Sequence, residues 1–200
     1  MFKIFSRINN VLFLTGLIGL SVSFGQGNSG SVWYFGTSGN GVEFNLGNST
    51  PSGTSGNVGL GSGGSAVAVD PMTGNLLFYT DGQNVYDANH QYMPNGTGLN
   101  GDPSSNQPVV VCAVPGTTDQ YYVFTNSASA GSAGAISYSI VDMSQFGNAT
   151  FPSPAAGDVT SKNQSINALL SNTSQAMMVV PNDSTDGFWL IVHEFGTDRY

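Results

Sequence analysis

Basic residues are nearly absent: four Lys and Arg stand against 12 Asp and Glu, a formal net charge of −8. Such a surface repels phosphate backbones, and nucleic acid is excluded as a partner. Cysteine occurs once, as Cys112, so no intramolecular disulfide can form. It sits in the apolar run Val109-Val110-Val111-Cys112-Ala113-Val114 with no base or cation beside it in sequence, which reads as a small core residue rather than a reactive thiol. Apolar runs are too short to cross a bilayer, so the chain is not expected to be an integral membrane protein.

Catalytic signatures are missing as well. Glu43 and Glu194 are the only glutamates, and His90 and His193 the only histidines. An H-E-x-x-H zinc motif fails because Thr197 stands where the second histidine belongs. No Gly-x-Ser-x-Gly elbow occurs; Gly61-Ser62-Gly63-Gly64 has the wrong spacing. The two histidines read as structural, capping turns or bonding backbone carbonyls.

What the chain does have begins with Lys3 and Arg7, the apolar run Val11 to Leu20, and the small residues of Ser21-Val22-Ser23-Phe24-Gly25. This is the three-part plan of a secretory signal peptide over residues 1–25, with cleavage expected after Gly25. Residues 26–200 then form the exported domain, with only Lys162 and Arg199 against the 12 acidic residues. Gly, Ser, Thr and Asn do most of the solvating. Low charge with abundant Gly, aromatic and β-branched residues predicts an all-β fold.

Strand and turn signals alternate along the whole domain. Val32-Trp33-Tyr34-Phe35-Gly36 opens it, and Val42 to Leu46 alternates apolar and polar residues. Gly47 to Ser65 carries almost only Gly, Ser, Thr, Asn and Pro and reads as a mobile loop. Asn75 to Gly96 reads as a hairpin, Leu76 to Thr80 and Val85 to Asp87 about the Asp81-Gly82 turn, followed by a second turn at Met93-Pro94-Asn95-Gly96. Further strands are expected at Ala66 to Asp70, Pro108 to Val114, Tyr121 to Thr125, Ala135 to Asp142, Ser165 to Leu170, Ala176 to Val180 and Phe188 to Phe195. Asn126 to Gly134 and Phe151 to Asn163 read as connections.

Trp33, Phe78 and Tyr122 are spaced 45 and 44 residues apart, and Trp189 follows after 67. A repeat of roughly 40–50 residues is the span of one four-stranded propeller blade. The expectation is therefore an incomplete β-propeller-like stack, with a β-sandwich as the alternative. The strand and turn before Tyr200 lead one to expect a longer natural protein.

Trp33-Tyr34-Phe35-Gly36, the block Gly74-Asn75-Leu76-Leu77-Phe78-Tyr79-Thr80-Asp81-Gly82, the block from Asn89-His90 through Met93-Pro94-Asn95-Gly96 to Gly98-Leu99, and His193-Glu194-Phe195-Gly196 carry a further likeness. In this order they resemble the N-terminal propeller-like region of large secreted proteins of gliding Bacteroidetes, which commonly end in a gliding-motility-associated, type IX secretion sorting domain. The resemblance implies a secreted or cell-surface protein linked to gliding motility. Where that family often has an acidic-Gly-Cys element before the strand at Ala66, this chain has Ser62-Gly63-Gly64-Ser65. The resemblance carries over no catalytic residue.

Candidate binding residues follow from residue type. Exposed aromatics suit pyranose rings, which present an apolar face and polar edges, so Trp33, Tyr86, Tyr92 and Trp189 are the candidate ligand-stacking residues. Asp81, Asp87 and Asn89, with Asp102 nearby in sequence, supply the hard oxygens that Ca²⁺ takes, although the EF-hand spacing is absent. Asp183-Ser184-Thr185 has the form of a Bacteroidetes O-glycosylation acceptor. The functional expectation is a cell-surface binding or adhesion module for a glycan or another surface protein. A polysaccharide hydrolase or lyase using Glu43 and Glu194, and a structural spacer in a giant surface protein, are the alternatives.

Overall fold

The computed structural model describes residues 31–44, 50–55, 58–166, 168–182 and 187–200. The signal-peptide segment, the Gly/Ser/Asn leader after it and the Asp183-Ser184-Thr185 triplet lie outside the described residues.

The fold is all-β. Four antiparallel sheets follow one another in chain order, and each is a simple up-and-down meander. The first contains β1 (Val32–Phe35), β2 (Asn40–Glu43) and β3 (Ser52–Ser55). The second contains β4 (Ala66–Val69), β5 (Leu76–Thr80), β6 (Asn84–Asp87) and β7 (Tyr92–Thr97). The third contains β8 (Val109–Ala113), β9 (Gln120–Asn126), β10 (Ile136–Asp142) and β11 (Asp158–Ser165). The fourth contains β12 (Thr173–Pro181) and β13 (Phe188–Glu194). The leading strands adjoin in series: β1 lies beside β4, β4 beside β8, and β8 beside β12.

Side-chain alternation along the second sheet explains the stacking. Ala68, Phe78 and Val85 face the third sheet and pack on Val109, Val123, Val141 and Val159. Their chain neighbours Val69, Tyr79 and Tyr86 face the first sheet and pack with Val32, Tyr34 and Leu60. A sheet covered on both faces needs apolar residues at consecutive positions, and Leu76-Leu77-Phe78-Tyr79-Thr80 supplies them. A two-layer sandwich would leave one face of this sheet uncovered.

Several expectations need correction. The Gly47 to Ser65 segment contains β3, which pairs Ser52 with Glu43 and Thr54 with Gly41. Its later glycines are docking points: Gly63 N–H donates to the Pro103 carbonyl and Gly64 N–H to the Ser105 carbonyl, both at 2.9 Å. A Cβ on Gly63 would collide with the Ser105 carbonyl oxygen. At these later glycines the missing side chain permits close backbone approach rather than motion, while residues 47–49 and 56–57 of the segment lie outside the described residues.

Met93-Pro94-Asn95-Gly96 lies within β7 rather than forming a turn. Proline is tolerated because β7 is the outer edge of its sheet, where a missing N–H breaks no ladder. The Phe151 to Asn163 connection is half strand, since β11 begins at Asp158 and turns only Val159 deeply inward. The strand expected over Ser165 to Leu170 is instead the end of β11 and a 3₁₀ turn, Ala168–Ser171. Finally, Trp33 is on the leading strand of its sheet, whereas Phe78, Tyr122 and Trp189 are on second strands. The 45-residue interval therefore joins non-equivalent strands.

Candidate functional site

The serial stacking brings the four leading strands to one groove of about 710 Å³. Its walls are Val32 to Phe35 of β1, Ala66 and Val67 of β4, Val109 to Val111 of β8, and Met178 and Val179 of β12. Gly64, Ser65, Asn106 and Gln107 complete the lining, and no charged residue takes part. Val32 and Tyr34 point into the core, so alternation turns Trp33 and Phe35 the other way. Trp33 is 55% exposed and meets the edge of Phe44 at 5.0 Å between ring centroids. The groove thus offers apolar walls, exposed aromatic rings and neutral amide groups.

The four aromatic candidates do not converge. Trp33 belongs to this groove, but Trp189 is exposed on the fourth sheet, opposite Val180 across the strand pair. Tyr86 is corrected to a core residue. It is 2% exposed, stacked on Tyr79 with centroids 5.2 Å apart, and covered on its other side by Tyr92 at 4.9 Å. Burial pushes the Tyr86 hydroxyl far above its ordinary range, aided by a hydrogen bond with Tyr92 and the nearby Asp81 carboxylate. Tyr92, 56% exposed, is the outer ring of this ladder.

The ladder continues inward. Tyr34 lies 4.8 Å from Tyr79, and the Tyr79 hydroxyl accepts the Val58 N–H at 3.2 Å and bonds His90 Nδ1 at 3.1 Å. His90 holds a left-handed backbone, φ 63°, with its N–H on the Asp87 carbonyl. It closes the β6–β7 connection and locks it to the first sheet, against Tyr34.

The candidate Ca²⁺ ligands are turn residues. Asp81 Oδ1 accepts the N–H groups of Gln83 and Asn84, and Asp87 Oδ1 those of Asn89 and Gln91. Asp87 Oδ2 takes Asn148 Nδ2 at 2.9 Å. Asp102 Oδ1 accepts both the N–H and the hydroxyl of Ser104, which holds its carboxyl below the usual range. Asn89 enters the pattern through its backbone N–H. Such Asx turns satisfy the carboxylates locally. Among the described residues no group of three His, Cys, Asp or Glu converges.

Glu43 and Glu194 end β2 and β13, on the first and fourth sheets. Glu43 lines a separate cavity with Ser31, Thr73 and Asn75, while Glu194 pairs with Arg199 at 3.6 Å. Sequence reasoning missed one contact of chemical interest, between Ser174 and His193. His193 Nε2 lies 2.7 Å from the Thr197 carbonyl and must donate to it, which leaves Nδ1 to accept the Ser174 hydroxyl at 3.0 Å. Ser174 Oγ also receives the Ala176 N–H. The pair fastens β12 to the turn after β13, nineteen positions apart in sequence and therefore invisible as a motif.

The chain matches no protein-family model, no curated protein and no solved structure.

Proposed function

We propose that this protein is an exported cell-surface binding module that takes a neutral glycan in the groove between its leading strands. The observation that carries the reading is the lining itself: exposed Trp33 and Phe35 beside Ser65, Asn106 and Gln107, with no charge. Sugar rings stack their C–H faces on aromatic side chains and give their hydroxyls to amides, and neither contact requires an ion. Adjoining leading strands around a shared groove also support reading the sheets as propeller-type blades. The export reading rests on Lys3, Arg7 and the apolar run to Leu20, and the gliding-motility link on the resemblance of the Leu76 to Gly82 and Met93 to Gly96 blocks.

Glycan-array screening followed by calorimetry on the best ligand tests the proposal. Trp33→Ala is expected to weaken binding by roughly tenfold or more, as loss of one stacking ring worth about 1–2 kcal/mol requires. Affinity unchanged in Trp33→Ala and in Asn106→Ala would sink the groove reading. Polysaccharide turnover abolished by Glu43→Gln or Glu194→Gln would replace it with the hydrolase or lyase alternative.

A further inference from the structure

The contact between Ser174 and His193 has the parts of an acyl-transfer site. Thr197 presents a carbonyl that can only accept, so His193 Nε2, 2.7 Å away, holds the proton and the Nδ1 lone pair takes the Ser174 hydroxyl at 3.0 Å. A serine hydroxyl is a weak nucleophile until a base stands ready for its proton and a third group fixes that base. Here a backbone carbonyl orients the imidazole, the part a carboxylate plays in a Ser-His-Asp triad. The Tyr200 ring packs against the imidazole with centroids 4.9 Å apart.

The backbone around Ser174 is held from several directions. Its carbonyl accepts Nδ2 of the fully buried Asn126 at 2.7 Å. Thr173 exchanges both backbone hydrogen bonds with Gly134, each at 2.9 Å. Beyond Thr173 the pairing of β12 with β13 loses register until Met177. Such an irregularity re-aims the side chains within it, here Ser174, Gln175 and Ala176. All three line a cavity of about 400 Å³. Ala130 and Gly131 on its wall leave room for a short acyl chain, and no charged group lines it among the described residues. His193 lines the adjoining cavity, which shares Ala176 with the first and shares Gln107 and Met178 with the groove between the leading strands.

We propose that Ser174 and His193 hydrolyse short-chain carboxylic esters of neutral alcohols. Ser174 Oγ bonds the acyl carbon while His193 Nδ1 takes the hydroxyl proton, and the carbonyl electron pair moves onto its oxygen. The Ala176 N–H, 3.2 Å from Oγ, is the donor at hand for that oxyanion. Collapse breaks the bond to the alcohol oxygen, which leaves with the proton from Nδ1. Water then adds to acyl-Ser174 with His193 again as base, releasing the carboxylic acid and restoring the hydroxyl. An alcohol leaving on the His193 side lies toward the groove, so an O-acylated sugar is the ester that fits; that part alone rests on the glycan reading.

Two probes test the site without any glycan, 4-nitrophenyl acetate and a fluorophosphonate. The purified chain is expected to release nitrophenol faster than buffer does. Ser174→Ala and His193→Gln should each lower that rate about a hundredfold, within the range a positioned base contributes. Peptide mass spectrometry should find the phosphonyl adduct, formed with loss of fluoride, on Ser174 of the native chain and not after unfolding in urea. A serine that only fastens two strands would give neither result. The adduct is read on the unaltered sequence, so it decides the matter even if the variants fail to fold. Turnover that persists in Ser174→Ala, or a native chain with no adduct on Ser174, overturns the proposal. If no glycan binds while Ser174-dependent nitrophenyl acetate turnover stands, the proposed function falls and this site does not.

Discussion

At the scale of single residues, amides do the work that charges do elsewhere. Asn126 is fully buried, donates from Nδ2 to the Ser174 carbonyl at 2.7 Å and accepts the Ala128 N–H at 2.8 Å. It ties the third sheet to the fourth without a charge to desolvate. Asn126→Ala is expected to destabilise by about 2–3 kcal/mol, because two backbone groups lose their partner inside the protein. Denaturant unfolding would show a lower midpoint with an unchanged slope. Tyr79→Phe removes the hydroxyl shared by Val58 N–H and His90, with an expected cost of about 1–2 kcal/mol. Cys112 gives a chemical check: burial pushes its thiol up to about 11, so it should react with a thiol reagent at pH 8 far more slowly than after unfolding. Rapid stoichiometric labelling of the native protein would contradict that burial.

At the scale of elements, the Gly-rich segment after β3 is a seam between sheets. Gly61 and Gly63 approach the carbonyls of Pro103 and Ser105 so closely that a methyl group has no room. Gly63→Ala is expected to cost about 1–3 kcal/mol, as overpacking does. Stability unchanged by that substitution would restore the mobile-loop reading. The Asx turns make a second prediction. Asp102 has its carboxyl lowered by the hydroxyl and N–H of Ser104, so its folded pKa lies below its unfolded one. Its contribution is complete above the ordinary value of 3.8 and is lost as pH falls through the lower folded pKa. Asp102→Asn should therefore flatten the acid limb of the stability profile below that value and alter little near neutrality. The effect is small because the group is exposed.

At the scale of the whole molecule, the second sheet is the centre of stability, since it contributes to the buried clusters on both of its faces, with Phe78, Tyr79 and Val85 fully buried. Its amides should exchange with solvent last and those of β13 among the first, because β13 has no fully buried residue and carries exposed Phe188 and Trp189. Phe78→Ala is expected to cost about 3–5 kcal/mol. The sheets are otherwise laced by side chains: Asn163 bonds the Gly98 carbonyl and the Asn100 N–H, Asn95 bonds Asp158, and Lys162 reaches the Thr97 carbonyl. That lacing accounts for a sequence rich in Asn and Ser and poor in charge.

The sequence by itself determined the all-β class and the strands that are rich in apolar residues. Leu76 to Thr80 coincides with β5, and β8, β9, β10 and β13 fall within a residue or so of their apolar runs. A strand that contributes apolar area on consecutive or alternate residues announces itself, because burial drives it there. Strands held by backbone pairing alone do not. β3 and β11 are polar, and only neighbours already in place select an extended chain for them. Of the candidate site, Trp33 was legible as an exposed aromatic type, but nothing in its local sequence distinguishes it from Tyr86, which stacking buried. The groove and the Ser174 to His193 contact each join residues far apart in the chain. Tertiary structure decided them, because what covers a side chain or an edge depends on the order in which sheets stack.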